Sequence, residues 1–259
     1  MSPGLLGRAM TIAGIVTGLL AIGLPYASGS RYVDDGTTVA FLLVLLSLAS
    51  WLPAEVGRDL FGAAAGAAAF GLFVFIPSSA AFSQLGYLDS GAWLGLCTAL
   101  IPLGALVMWS ERESGDRQSQ TSIGIGLPVV LAGLALIVVG IWLDAASGGP
   151  SYWNISSSGH AAGVLMLLLA ALNAVLVAGP AFVPMPTLAN LDVLVAAATF
   201  GYVEAGLIST AFEDFGSLGT GGWIEACAGA LLLLGVLQTR GAFGPAAAPG
   251  PVARPASAP

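Results

Sequence analysis

The residues able to do chemistry in this chain are few, and two of them are acids inside apolar runs. Glu204 lies in VLVAAATFGYVEAGLISTAF (193–212) and Glu225 in GGWIEACAGALLLLGVL (221–237). At the centre of a membrane helix an ionisable group costs about 2.5–3.5 kcal/mol, a cost commonly offset by a partner, by water or by function. Read as one helical hairpin, the two runs place Glu204 about 12 Å and Glu225 about 6 Å below the outer surface, at 1.5 Å per residue. His160 opens another apolar run on the same side. Together the three predict an ionisable cluster facing a water-filled vestibule, suited to relaying protons or attracting cations. Tyr202 and Asn173 complete the set of candidate pathway residues.

Each has a plainer alternative. Glu225 is close enough to the surface to reach water directly. His160 reads equally as an interfacial residue beside Ser156, Ser157 and Ser158. Asn173, midway along its run, suits a hydrogen bond between helices. Tyr202 either lines a pore or packs.

The elements that must hold these residues follow from composition. Of 259 residues 57% are hydrophobic and 8% charged, against roughly 25% charged in a soluble domain. The solvent must therefore be largely lipid. Eight apolar runs are long enough for membrane helices, at about 9–27, 37–54, 60–77, 90–109, 123–143, 160–182, 190–211 and 221–238. Helices rather than barrel strands are expected, because the runs are long and uniformly apolar. The polar segment 110–121 divides the body, and 241–259 reads as a disordered tail rich in Pro and Ala. The expected class is an all-α polytopic membrane protein.

All seven basic residues are Arg; with the N-terminus inside, Arg8, Arg58, Arg112, Arg117, Arg240 and Arg254 fall on the cytoplasmic side and only Arg31 outside. That bias predicts both termini in the cytoplasm. Tyr26, Tyr32, Tyr87, Trp93, Trp142, Tyr152, Trp153 and Trp223 read as anchors at the outer surface, and Trp51 and Trp109 at the inner. The absence of Lys beside abundant Ala suggests a GC-rich bacterial genome, hence a bacterial cytoplasmic membrane.

An internal repeat is the most specific signal. Residues 67–97 overlay 197–227 without a gap: AAAFG on AATFG, Ser79, Ala81 and Phe82 on Ser209, Ala211 and Phe212, then Gly86, Leu88, Gly91, Trp93 and Cys97 on Gly216, Leu218, Gly221, Trp223 and Cys227. ASG at 27–29 also echoes ASG at 146–148, at a different offset. The division expected is 1–119 and 120–240, two four-helix repeats of the same polarity with a pathway at their junction. Gly14 with Gly18, and Gly62 with Gly66, offer small faces for close helix approach. Glu204 falls on Val74 and Glu225 on Gly95, so the second half alone gains acids.

Three stretches, GWIEACAGALLLLGV (222–236), DLFGAAAGAAAFG (59–71) and AWLGLCTAL (92–100), resemble the last, third and fourth helices of the acetate uptake transporter family, a relative of the urea/amide channels. The resemblance implies an oligomeric pore, formed as a homo-oligomer, for a short carboxylate or amide. Those families have six helices, and their Asn-Pro-Ala-Pro-Leu-Gly-Leu signature is missing here, so no functional residue is carried over.

No HExxH, GxSxG or P-loop occurs, and no paired-carboxylate motif in a soluble domain, so no enzyme is expected. One histidine rules out a bis-histidine haem and a His-rich metal cluster, the two cysteines form no CxxC pattern, and no cofactor is expected. A net charge of −7 leaves no basic face for nucleic acid. The expected partners are the lipid bilayer and a small polar solute or a proton. The function expected is a small-solute channel or secondary transporter, with proton coupling open to its acids. The alternative is a non-transporting membrane subunit that scaffolds a partner complex.

Overall fold

A computed structural model describes residues 2–27, 30–31, 38–48, 58–81, 88–112, 126–145, 147–154, 160–178, 190–213 and 218–240. The expected tail at 241–259, the serines at 156–158 and Tyr32, Trp51 and Tyr87 lie outside these residues. The described chain is mostly helical, and helices fall on each of the eight apolar runs. They are α1 (Pro3–Gly23), α2 (Thr38–Leu46), α3 (Arg58–Ala81), α4 (Ser90–Leu96), α5 (Leu100–Arg112), α6 (Gly126–Gly140), α7 (Ala161–Ala178), α8 (Leu191–Glu213) and α9 (Thr220–Thr239). Three stretches are long and apolar enough to cross a membrane: Gly4–Gly23, Ser90–Trp109 and Thr220–Thr239. Leu60–Phe75, Gly126–Gly140 and Ala162–Val177 are shorter apolar helices. Two short strands, Pro25–Ala27 and Ser30–Arg31, pair after α1 and add a small ribbon to the helical fold.

Local sequence sets the helix ends and breaks. α1 starts at Pro3, earlier than its apolar run, because Ser2 caps it: the Leu5 amide donates to Ser2 Oγ at 3.3 Å, and Pro at the first position loses no needed donor. α4 and α5 are one run interrupted by a 3-10 turn at Cys97–Ala99. Pro102 explains the break, since it has no amide to offer the carbonyl of Thr98 and its ring crowds that carbonyl. α9 has no proline and runs unbroken.

Large apolar side chains lie both inside and outside: Phe73, Ile101, Ile137 and Met166 are buried. Others such as Leu5, Val16, Leu20, Leu131, Val139, Leu168 and Val175 point outward, and many alanines and several hydroxyls share the interior. Buried hydroxyls bond their own helix: Thr11 donates to the Gly7 carbonyl at 3.0 Å, Thr98 to Gly95 at 2.5 Å and Thr239 to Val236 at 2.7 Å. No hydrophobic effect drives helices together in lipid, so close backbone contact must. α6 packs on α9, α1 on α5 and α4, and α8 on α9. α3 meets α8 where Gly71 lies against the Ala198 carbonyl and Gly201 lies against the Ala68 carbonyl. Either contact would be lost to any Cβ.

The same tie recurs at two hairpins. The Asp89 amide donates to the Tyr26 carbonyl at 2.9 Å, and the Gly219 amide to the Ala145 carbonyl at 3.1 Å. Gly91 sits beneath the carbonyls of Leu24 and Pro25, and Gly221 beneath those of Leu143 and Asp144. Trp93 and Trp223 are both half-exposed, and Cys97 and Cys227 are both exposed.

Candidate functional site

Glu225 lies one turn into α9 and is fully buried, at 0% exposure. It does not reach water, contrary to the plainer reading of its position. Its seat is Gly140, the last residue of α6: a Cβ there would stand 2.5 Å from Glu225 Oε1 and 2.7 Å from its Cδ. Neither carboxylate oxygen has a hydrogen-bond partner among the described residues. Such a group, unpaired and dry, is expensive to bury. Glu204 on α8 is half-buried and lies beside Gly229 of α9.

A folded loop follows α6. Residues 141–154 fold back on themselves through Trp153 N–H to the Ile141 carbonyl (3.0 Å) and Ala145 N–H to the Pro150 carbonyl (3.1 Å). Gly148 turns the chain with φ +69°, a conformation that suits glycine. The loop carries Tyr152 inward, to 2% exposure. Tyr152 is therefore no surface anchor, and neither is Trp109, which is buried. Burial pushes the Tyr152 phenol well above its ordinary value; the charges of Glu225 and Glu204, and then Tyr202, push it the same way. Tyr202, 1% exposed, also packs edge-to-face on Phe75 of α3, with ring centroids 5.2 Å apart.

His160 is engaged elsewhere. Its Nδ1 donates to the Trp153 carbonyl at 2.7 Å, and its ring stacks on Trp153, which stacks in turn on Trp142. It is exposed, with φ at 61°. Of the expected cluster of two acids and a histidine, the histidine is engaged with Trp153 instead. Asn173 makes the expected bond between helices, donating to Thr199 Oγ1 at 2.8 Å and to the Leu169 carbonyl at 2.8 Å. Thr199 Oγ1 in turn donates a hydrogen bond to the Val195 carbonyl at 2.8 Å. Asn173 Oδ1 is left buried with no donor among the described residues.

Comparison with protein-family models, with curated proteins and with solved structures finds no match. The site must be judged on its own geometry.

Three of its features escaped the sequence reading. Gly140 was visible as the third glycine of a seven-residue series with Gly126 and Gly133, all on the face of α6 that meets α9. α1 repeats the series as Gly7 and Gly14, then Ala21. These positions align at an offset of 119, the offset of the two ASG triplets, whereas α3–α4 and α8–α9 align at 130. Tyr152 gave no signal beyond an aromatic in a loop. The third feature lies at the other end of the hairpin, where Arg240 binds Asp192 in a bidentate pair, Nε to Oδ2 at 2.9 Å and Nη2 to Oδ1 at 2.8 Å. Asp192 occupies the first turn of α8 and Arg240 caps the end of α9, so each charge also suits its helix end.

Proposed function

We propose that this chain is a small-solute channel or secondary transporter of a bacterial cytoplasmic membrane, crossing it eight times with both termini inside. It consists of two similar halves, 1–119 and 120–240, of which the second holds the functional site. The observation that carries this reading is Glu225: a fully buried carboxylate, seated on a glycine that leaves room for it, with no partner among the described residues. A purely structural acid would be expected to find a donor, as Asp192 does in Arg240. Glu204 beside it gives a second carboxylate, and the pair offers a place for a proton to ride with the solute.

The duplication is supported by matched contacts: Gly71 and Gly201 across α3 and α8, Gly91 and Gly221 under the preceding helix ends, Gly7 and Gly126 against Gly104 and Gly235. The last pair is offset by 131 rather than 130, the one-residue difference falling where Pro102 forces the 3-10 turn. Because α3 and α8 close on each other through backbone, the pathway is better sought inside the second half than at the junction between halves. That same closed junction favours the second reading, a scaffold subunit, in which Glu225 is a tolerated burden.

The deciding experiment is uptake of short carboxylates, amides and amines by proteoliposomes, with and without a pH gradient. Protein-dependent uptake of any of them supports transport; uptake equal to empty vesicles for all of them supports the scaffold.

A further inference from the structure

Every buried side-chain atom left without a partner among the described residues is an acceptor: Glu225 Oε1, Glu225 Oε2 and Asn173 Oδ1. All three belong to α6–α9 and the segments between them. The supply of cationic donors there is minimal. Between residues 120 and 240 the sequence holds one basic residue, Arg240, and one histidine, His160. Arg240 is committed to Asp192 at the far end of the hairpin, and His160 to the Trp153 carbonyl. Residues 120–240 carry Asp144, Asp192, Glu204, Glu213, Asp214 and Glu225 against that single arginine. When Glu225 is ionised, an anion placed beside it would meet a like charge, and like charges at short range in a dry interior repel strongly.

We infer that the occupant of this site is a small ammonium-type cation, with Glu225 as its principal anchor and Glu204 as its second carboxylate. This rests on the transport reading for its physiological meaning, but not for binding itself. A primary ammonium group brings three N–H donors on one atom, enough for both oxygens of Glu225 and one of Glu204. The hydrogen bonds would be charge-assisted, the strong kind. Gly140 is the specificity element from below, since any side chain there would fill the space in which the Glu225 carboxylate lies. The first half has Gly95 and Val74 at the positions of the two acids, so it offers no equivalent site. The choice of cation separates this chain from the short carboxylate that its helix patterns suggest.

The test uses the full chain and methylammonium chloride as the probe, with sodium chloride, sodium acetate and urea as controls. Melting temperature in detergent reads binding, and radiolabelled methylammonium uptake by proteoliposomes reads transport. Methylammonium is expected to raise the melting temperature above the sodium chloride value, and E225Q to abolish the rise. E204Q should weaken apparent binding at least tenfold, and it decides the matter if E225Q fails to fold. Stabilisation by acetate rather than methylammonium overturns the inference, as does a methylammonium effect unchanged in both variants, or no effect at all. Stability that responds to pH through Glu225 but not to methylammonium also overturns it, leaving a proton as the sole occupant. If acetate or urea is transported and methylammonium is not, transport survives and the cation does not. If methylammonium binds through Glu225 but no solute crosses, the site survives and transport does not.

Discussion

Gly140→Ala isolates the contact on which the site is built. The added methyl carbon would stand 2.5 Å from Glu225 Oε1, 2.7 Å from Cδ and 2.8 Å from Cγ, so the side chain must rotate off its seat. Overpacking of this kind costs roughly 1–3 kcal/mol, while replacing Gly by Ala within a helix returns about 1 kcal/mol. The net loss is then about 0–2 kcal/mol, small enough for the protein to stay folded with its carboxylate displaced. Glu225→Ala removes the obstacle, and in that background an alanine in place of Gly140 should fit, as Ala21 opposite Gly95 does by sequence in the first half. The double-mutant cycle should therefore give a compensating coupling of about 1–3 kcal/mol. Thermal or denaturant unfolding of the four proteins in one detergent measures it. Gly133→Ala is the contrast, because its Cβ would meet the Leu232 amide nitrogen at 2.8 Å and the Ala228 carbonyl at 3.0 Å. Backbone cannot swing aside, so this variant should lose more stability than Gly140→Ala, and Glu225→Ala should not rescue it. A coupling below about 0.5 kcal/mol between positions 140 and 225 would refute the seating.

Four further outcomes are expected. Breaking the Asp192–Arg240 pair by Asp192→Ala should destabilise the protein, because it removes a bidentate, largely buried ion pair, whereas replacing both residues by leucine should cost less; unfolding midpoints compare them. Gly71→Val and Gly201→Val should each destabilise, and by similar amounts, since the two contacts are reciprocal; folded yield after extraction gives the ratio. For Tyr152 the folded phenol titrates above its ordinary value of 10, so its contribution to stability is complete below pH 10 and lost as pH rises beyond it. Tyr152→Phe should remove that alkaline loss, seen as a melting temperature that falls less above pH 10. A reporter fused after Arg240 should read as cytoplasmic; an extracytoplasmic reading would reverse the orientation.

Helix positions were legible in this sequence because long, uniformly apolar runs favour helices, and helices lie on all eight runs. Their ends were less so, since capping by Ser2 and the break before Pro102 act through single residues. The overlay at 130 found the second-half acids, but it covered only the later helices of each half. The overlay at 119 was hidden because a single alignment cannot hold two offsets, and with it went Gly140. His160 and Tyr152 exchanged roles for a reason no span pattern contains. Backbone hydrogen bonds fold the loop 141–154 back on itself, turning the tyrosine in and leaving the histidine stacked outside.

Solute uptake by proteoliposomes holding the wild type, Glu225→Gln or Glu204→Gln settles whether the buried carboxylate works in transport. All three proteins should incorporate and fold, since Gln keeps the shape and hydrogen-bonding capacity of Glu. The wild type should accumulate at least one small solute above protein-free vesicles, Glu225→Gln should fall to the protein-free level, and Glu204→Gln should lie between. Uptake by Glu225→Gln equal to the wild type for every solute, with and without a pH gradient, would contradict a transport role for this site.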